Sequence, residues 1–383
     1  MGIQNIFENC TIEDVRSWDM STVDGFRFTR SSSFEPGAQG LAIAKLAAHK
    51  KGELSLQCAF PEPMNSFEFE DSLLGSPFGI SVIRHAKIKL FGQEGKLPSK
   101  EFDSNLARFY MQRRGLLGKG QSCALVCVDP GYKLPSKLKE FASSGEDSDF
   151  PLNESDFRKM LTSMASLLGF RSFLTSTTES ALNSFVFECF LNSQEHGRSI
   201  KNNLAGRGIR SLLIEKVVIN STTKLNKLSQ ELQEFIDRTT ESKQNKLGLG
   251  LVCLTIADQG DGIHATLPAA SPHESAKERF TRAFDPGVTR KQQGAIKRGL
   301  GLSYALSAAH KMRVRIEIHS SDIHYIQDFS YEEYRLPQLD THSINESKLT
   351  QGCGTTISIW VPEHAPGLDQ PDLFDRKKLP SAV

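Results

Sequence analysis

Apolar positions along this chain follow two periods, one helical and one alternating. Residues 179–195 place Leu182, Phe185, Val186, Cys189 and Phe190 at helical spacing, which predicts an amphipathic helix with one apolar stripe. Residues 211–219 and 249–257 are rich in Val, Ile and Leu and read as strands. Residues 300–309 read as an amphipathic helix opened by glycines. Residues 313–319 and 355–361 alternate strictly and read as strands, the second ending at Pro362. A helix–strand–helix–strand order with antiparallel-looking strands predicts an α+β sandwich, one sheet covered by helices on one face. Between these elements, residues 223–240 carry Leu225, Leu228, Leu232, Phe235 and Ile236 at helical spacing. That stripe predicts a helix docked on the domain or on a partner.

The first half reads as strand, loop, helix, strand. Residues 26–29 are a short strand, 31–40 a Ser/Pro/Gly loop, 41–49 a helix of good helix formers, and 54–60 a strand stopped by Pro61. This order predicts a small α/β layer. The stretch Phe34-Glu-Pro-Gly-Ala-Gln-Gly-Leu-Ala-Ile-Ala resembles the loop-to-helix turn of STAS domains, the fold of anti-sigma-factor antagonists. In that family the turn often carries a phosphorylatable Ser. Here Pro36 and Gly37 fall near that place, and the nearest hydroxyls are Ser31, Ser32 and Ser33. Residues 134–153 are rich in Ser, Lys, Asp and Pro and mark a connection. The expected organisation is therefore a STAS-like α/β accessory domain at 1–150, a second domain at 151–365 and a polar tail at 366–383.

A formal net charge of +1 gives no reason to expect a polyanion or a membrane surface as partner. No apolar run approaches the roughly 20 residues that span a bilayer. The first residues have no basic region ahead of an apolar core, so no signal peptide is expected. Ile6 stands where a myristoylation signal would want Ser or Thr. The seven cysteines are scattered. Cys123 and Cys127 sit on one face of a strand-like run, and no second Cys/His pair accompanies them for a metal. A reduced cytoplasmic protein is the simplest expectation. Residues 198–246 hold ten Lys/Arg against five Asp/Glu, which a solvated face accounts for more simply than nucleic-acid contact.

Four short motifs carry the candidate chemistry. The first is Glu188-Cys-Phe-Leu-Asn192, followed by His196-Gly197. Positions four apart share a helix face, so Glu188, Asn192 and His196 form a polar row beside the apolar stripe. An Asn amide oxygen suits the partial shell of Mg²⁺, which keeps waters and phosphates as its other ligands. The second motif, Asp258-Gln-Gly260-Asp-Gly262, follows a strand, and an Asp there can accept a hydrogen bond from an adenine amine. Its glycines allow a sharp turn and close backbone approach. The third, Arg298-Gly299-Leu-Gly301-Leu302, opens a helix whose free N–H groups favour phosphate. The fourth is Gly352-Cys-Gly354-Thr355-Thr356, leading into a strand.

In this order the four motifs resemble the ATP-binding boxes of the gyrase, Hsp90, histidine-kinase and MutL superfamily, across residues 157–363. The resemblance implies the Bergerat fold with ATP and Mg²⁺. It implies that Asn192 holds Mg²⁺ and that Glu188 is the general base. It assigns Asp258 the adenine amine, with the Thr355 hydroxyl supporting it directly or through water. His196, Gly260, Gly262, Gly299, Gly301, Leu302 and Gly354 would complete the nucleotide site. Residues 283–298 resemble the superfamily's mobile lid, with Thr289, Arg290, Lys291, Lys297 and Arg298 toward the phosphates. The spacing Glu-x-x-x-Asn-x-x-x-His-Gly is most like the anti-sigma-factor serine kinases.

Few residues follow the fourth motif, so a clamp ATPase with a second catalytic domain is not expected. No His lies between Pro151 and Glu188, so neither is a sensor kinase with its own phosphoacceptor. Two uses of ATP remain expected: a serine/threonine kinase or slow ATPase, and a non-catalytic switch that binds a regulatory protein, in stress or phage-defence regulation. A STAS-like partner fits the first. A homodimer stays open.

Overall fold

The computed structural model describes residues 2–6, 8–29, 32–49, 53–58, 73–85, 87–91, 101–102, 104–119, 121–128, 134–135, 138, 153–169, 177–197, 208–219, 228–240, 249–286, 288, 301–331, 338–348 and 351–362. Within them the fold is mixed α+β, with one largely parallel sheet and one antiparallel sheet.

The parallel sheet holds β1 (Gly2–Ile6), β2 (Val23–Phe28), β3 (Glu53–Cys58) and β4 (Lys87–Phe91) side by side in chain order, with β5 (Glu101–Phe102) antiparallel at the edge. Helices α1 (Ile12–Ser17), α2 (Ala38–Lys45) and α3 (Pro77–His85) make the crossovers. Stepping one strand in the same direction each time, right-handed crossovers put all three helices on one face. Helix α4 (Ser104–Arg114) packs on α3.

The antiparallel sheet has eight strands in the order β12-β11-β10-β13-β9-β8-β7-β6. They are β6 (Leu116–Lys119), β7 (Ser122–Cys127), β8 (Arg210–Ile219), β9 (Leu249–Asp258), β10 (Arg315–Ser320), β11 (Ile323–Asp328), β12 (Ile344–Glu346) and β13 (Thr355–Pro362). Strands β6 and β7 come from ahead of residue 150, so the hydrogen bonding runs across the expected boundary. One core lies between this sheet and helices α5 (Glu154–Leu167) and α6 (Thr177–His196), taking in Val252, Leu254 and Ile256 of β9 with Phe157, Val186 and Phe190.

The expected cover on one face is corrected: both faces are buried. Leu251, Cys253 and Ala257 of β9 join a second core with Leu41, Phe78, Phe26 and Leu56. The described residues therefore stack in four layers: helices, antiparallel sheet, helices, parallel sheet. The insertion helix α7 (Gln230–Thr240) belongs to the third layer. Its Leu232, Phe235 and Ile236 are buried in the second core, so it docks on the first half of its own chain.

Buried polar contacts join the layers. Glu35 accepts from the Ile12 N–H (3.0 Å) and the Ser229 N–H (2.8 Å), so one carboxylate serves the N-termini of both α1 and α7. The turn that resembles a STAS phosphorylation loop is also inside this joint. Gly37 has φ +87° and would bring a Cβ within 3.1 Å of Trp360. Arg16 of α1 reaches Glu317 (3.2 Å) and His324 (3.1 Å) on the antiparallel sheet.

Glu215 of β8 accepts from the Gly37 N–H at 2.8 Å. Burial pushes its carboxyl up from 4.5 to about 7, against that hydrogen bond, and Glu35 adds repulsion. With the folded value above the unfolded one, its stabilising contribution is complete below the unfolded value and is lost as pH rises through about 7. Glu215→Gln keeps an acceptor for Gly37 and removes the ionisation. The variant is expected to raise the urea midpoint at about pH 8 by on the order of 2 kcal/mol of stability, and much less at about pH 5. Equal midpoints at the higher pH would contradict this account of the joint.

Candidate functional site

Helix α6 lays its stripe on the sheet: Leu182, Phe185, Val186, Cys189 and Phe190 are all buried. Glu188, Asn192 and His196 are half-buried along its margin, as the spacing predicts. Helix α8 (Ile263–Thr266) and helix α9 (Ala276–Arg282) follow the second motif. Helix α10 (Gly301–Met312) then runs beside α6 on the same face of the sheet. Gly301 opens α10, and Leu302, half-buried, packs against the helical core. The first and third motifs thus lie on neighbouring helices. Thr289, Arg290, Lys291, Lys297, Arg298 and Gly299 lie outside the described residues.

Asp258 closes β9 and is buried. Its Oδ1 accepts from the Gly260 N–H at 2.8 Å and the Thr355 N–H at 3.3 Å. The Thr355 backbone amide supports Asp258 directly. Both hydrogen bonds that the described residues make to this carboxylate fall on Oδ1, which leaves Oδ2 as an acceptor for a ligand. Burial pushes the Asp258 carboxyl up from 3.8 to about 7, and the two amides and the Arg210 charge oppose that.

Three glycines fit the backbone tightly around this carboxylate. A Cβ at Gly197 would stand 2.8 Å from the Asp258 Cβ, and one at Gly354 would stand 1.8 Å from the Asp258 carbonyl oxygen. At Gly260 a Cβ would meet the His196 carbonyl oxygen at 2.6 Å and the Gly197 Cα at 2.9 Å. Gly260 is therefore needed for the end of α6 to close on the second motif. Gly262 adopts φ +94° and starts α8, the sharp turn expected of it. The structure thus brings the end of the first motif, the second and the fourth together at the end of β9. The glycines pack this carboxylate tightly in place, and its second oxygen has the acceptor chemistry that an exocyclic amine would require.

Three contributors were missed in the sequence. Arg210 stands opposite Asp258 in the β8–β9 register. It is fully buried, donates to the Phe190 carbonyl (3.2 Å) and Gln194 Oε1 (3.1 Å), and lies 4.0 Å over the Phe190 ring. A cation heading a largely apolar strand was its only signal. Gln259 and the end of α2 are the others. Gln259 Nε2 donates to the Ile43 carbonyl at 3.1 Å, and the Gly354 N–H donates to the Ala44 carbonyl at 3.0 Å.

Away from this site, Glu317 Oε1 and the Nε2 atoms of His319 and His324 lie within 4.8 Å of one another, a donor set of metal type. The Arg16 guanidinium already reaches two of these three side chains and supplies a cation. Burial alone would raise the Glu317 carboxyl, but the hydrogen bonds from His319 and His324 and the nearby charges hold it well below the usual range. Burial pushes His319 down to about 4, so it is neutral and donates to Glu317 at 2.8 Å. The group is an ionic tie between layers.

No protein-family model, curated protein or solved structure matches this chain.

Proposed function

We propose that this chain binds Mg-ATP in a Bergerat-type site of the gyrase, Hsp90, histidine-kinase and MutL kind, and transfers its γ-phosphoryl group to a protein hydroxyl or to water. One observation carries the reading: motifs separated by up to about 160 residues meet around Asp258, with α6 and α10 side by side on the same sheet face. Asp258 Oδ2 would accept from the adenine amine. Asn192 would hold Mg²⁺, which would neutralise phosphate charge. Glu188, one helical turn before Asn192, would take the proton of the attacking hydroxyl as its oxygen bonds to phosphorus and the bond to the ADP oxygen breaks. A serine or threonine of a regulatory protein is the acceptor favoured by the Glu-x-x-x-Asn-x-x-x-His-Gly spacing.

The alternative is a switch in which ATP shifts a two-state surface without turnover. Glu188 favours the enzyme, because a pure switch needs no base one turn from its metal ligand. Purified chain with γ-labelled ATP separates the two. Glu188→Gln is expected to keep ATP affinity within about twofold and to lower labelled protein or phosphate release by on the order of 100-fold or more. Unchanged turnover in Glu188→Gln would remove the general-base role. Tight binding with no transfer in the wild type would establish the switch.

A further inference from the structure

Helix α2 touches the strands behind Asp258 along its whole length. At its start, Gly37 donates to Glu215, adopts φ +87° and leaves only a tight space for a Cβ beside Trp360 and Ser358. In its middle, a Cβ at Gly40 would come within 2.3 Å of the Thr255 Cγ2, and the Gly40 carbonyl accepts from the Thr356 hydroxyl at 3.3 Å. At its end, the Ile43 and Ala44 carbonyls accept from Gln259 Nε2 and the Gly354 N–H. Both carbonyls also accept from the Leu46 N–H that caps the helix, so each takes a second donor from the motifs: one immediately after Asp258 and one immediately before Thr355, whose amide holds Asp258.

Gln259 is an uneconomical choice unless the tie matters. It is fully buried, and its Oε1 has no hydrogen-bond partner among the described residues. A buried, half-satisfied amide costs about 1–3 kcal/mol relative to an apolar side chain of similar shape. Among the described residues, the one hydrogen bond the side-chain amide makes is with α2.

We infer that Gln259 is a positioning residue: it fixes Asp258 against the C-terminal turn of α2, so the first half of the chain sets how well the site holds the adenine amine. This rests on the ATP reading above, and it gives the first domain a task in the site itself, as the wall behind the adenine contact.

The test compares Gln259→Leu, and Gln259→Met should the first not fold, with the wild type in the full chain. Affinity is measured for ATP and for purine riboside triphosphate, which lacks the 6-amino group, together with amide hydrogen exchange at Gly354 and Thr355. The expected result is a loss of ATP affinity on the order of tenfold with affinity for the amine-free nucleotide unchanged. Exchange at Gly354 and Thr355 is expected to speed up, while the urea midpoint stays equal or rises. Equal losses for both nucleotides, or unchanged affinities and exchange, would overturn the inference. Wild-type protein that binds neither nucleotide would overturn the ATP reading instead, and the exchange rates alone would then decide whether Gln259 holds the Asp258 turn.

Discussion

Asp258→Asn is expected to abolish measurable ATP binding while making the folded chain more stable above neutral pH. The two effects share one cause. Asn keeps Oδ1 as acceptor for the Gly260 and Thr355 amides, so the turn has no reason to rearrange. Its NH₂ replaces Oδ2, and in the proposed site an acceptor for the adenine amine would become a donor pointed at that donor. A site built around a hydrogen bond rejects a ligand that cannot make it, and a loss on the order of 100-fold or more is expected. Stability moves the other way. The Asp258 carboxyl is raised to about 7 by burial, so its stabilising contribution is complete below the unfolded value of 3.8 and is lost as pH rises through about 7. The amide never ionises, and at about pH 8 the variant should gain on the order of 2 kcal/mol. Isothermal titration and urea unfolding check both halves. An Asp258→Asn variant that binds ATP like the wild type would remove Asp258 from the ligand contact.

Gly354→Ala has the second large effect. The added Cβ would stand 1.8 Å from the Asp258 carbonyl oxygen and 2.7 Å from the Gln259 Cα. Both are backbone atoms of the second motif, so no side-chain rotation relieves the clash. β13 or the turn after β9 must move, and an overpacked site of this kind costs about 3 kcal/mol. Gly118→Ala is the control. A Cβ there meets only the Ser122 carbonyl oxygen at 3.7 Å, an ordinary contact. Urea midpoints should fall sharply for Gly354→Ala and hardly change for Gly118→Ala. ATP binding should vanish in the first variant and persist in the second. Matching midpoints would mean that the fourth motif does not lie against Asp258 as described.

The elements that carry the site were legible where local period and burial agree. The α6 stripe, the β9 run and the alternation of β13 each appear within a residue or two of their expected places. The polar row of Glu188, Asn192 and His196 followed from helical spacing alone. What was not legible depends on distant pairings. Cover on both faces of the antiparallel sheet had a signal in β9, whose apolar run is continuous rather than alternating, as in strands buried on both sides. The contacts from Arg16 to Glu317 and from Glu35 to Ser229 join residues 301 and 194 positions apart, and no local period encodes them. The hydrogen bond from the Thr355 backbone amide had no signal in the motif, because a motif letter names a side chain while the amide makes this bond. The close packing of Gly197 and Gly260 on each other likewise belongs to the meeting of two motifs and to neither one alone.

The most direct test of a single nucleotide site is calorimetric titration of the full chain with ATP, with and without Mg²⁺, for the wild type beside Asn192→Ala. Saturable one-to-one binding that needs Mg²⁺ and is lost in Asn192→Ala, with its unfolding curve unchanged, is the predicted result. No binding by the wild type at millimolar Mg-ATP, or binding undiminished in Asn192→Ala, would contradict it.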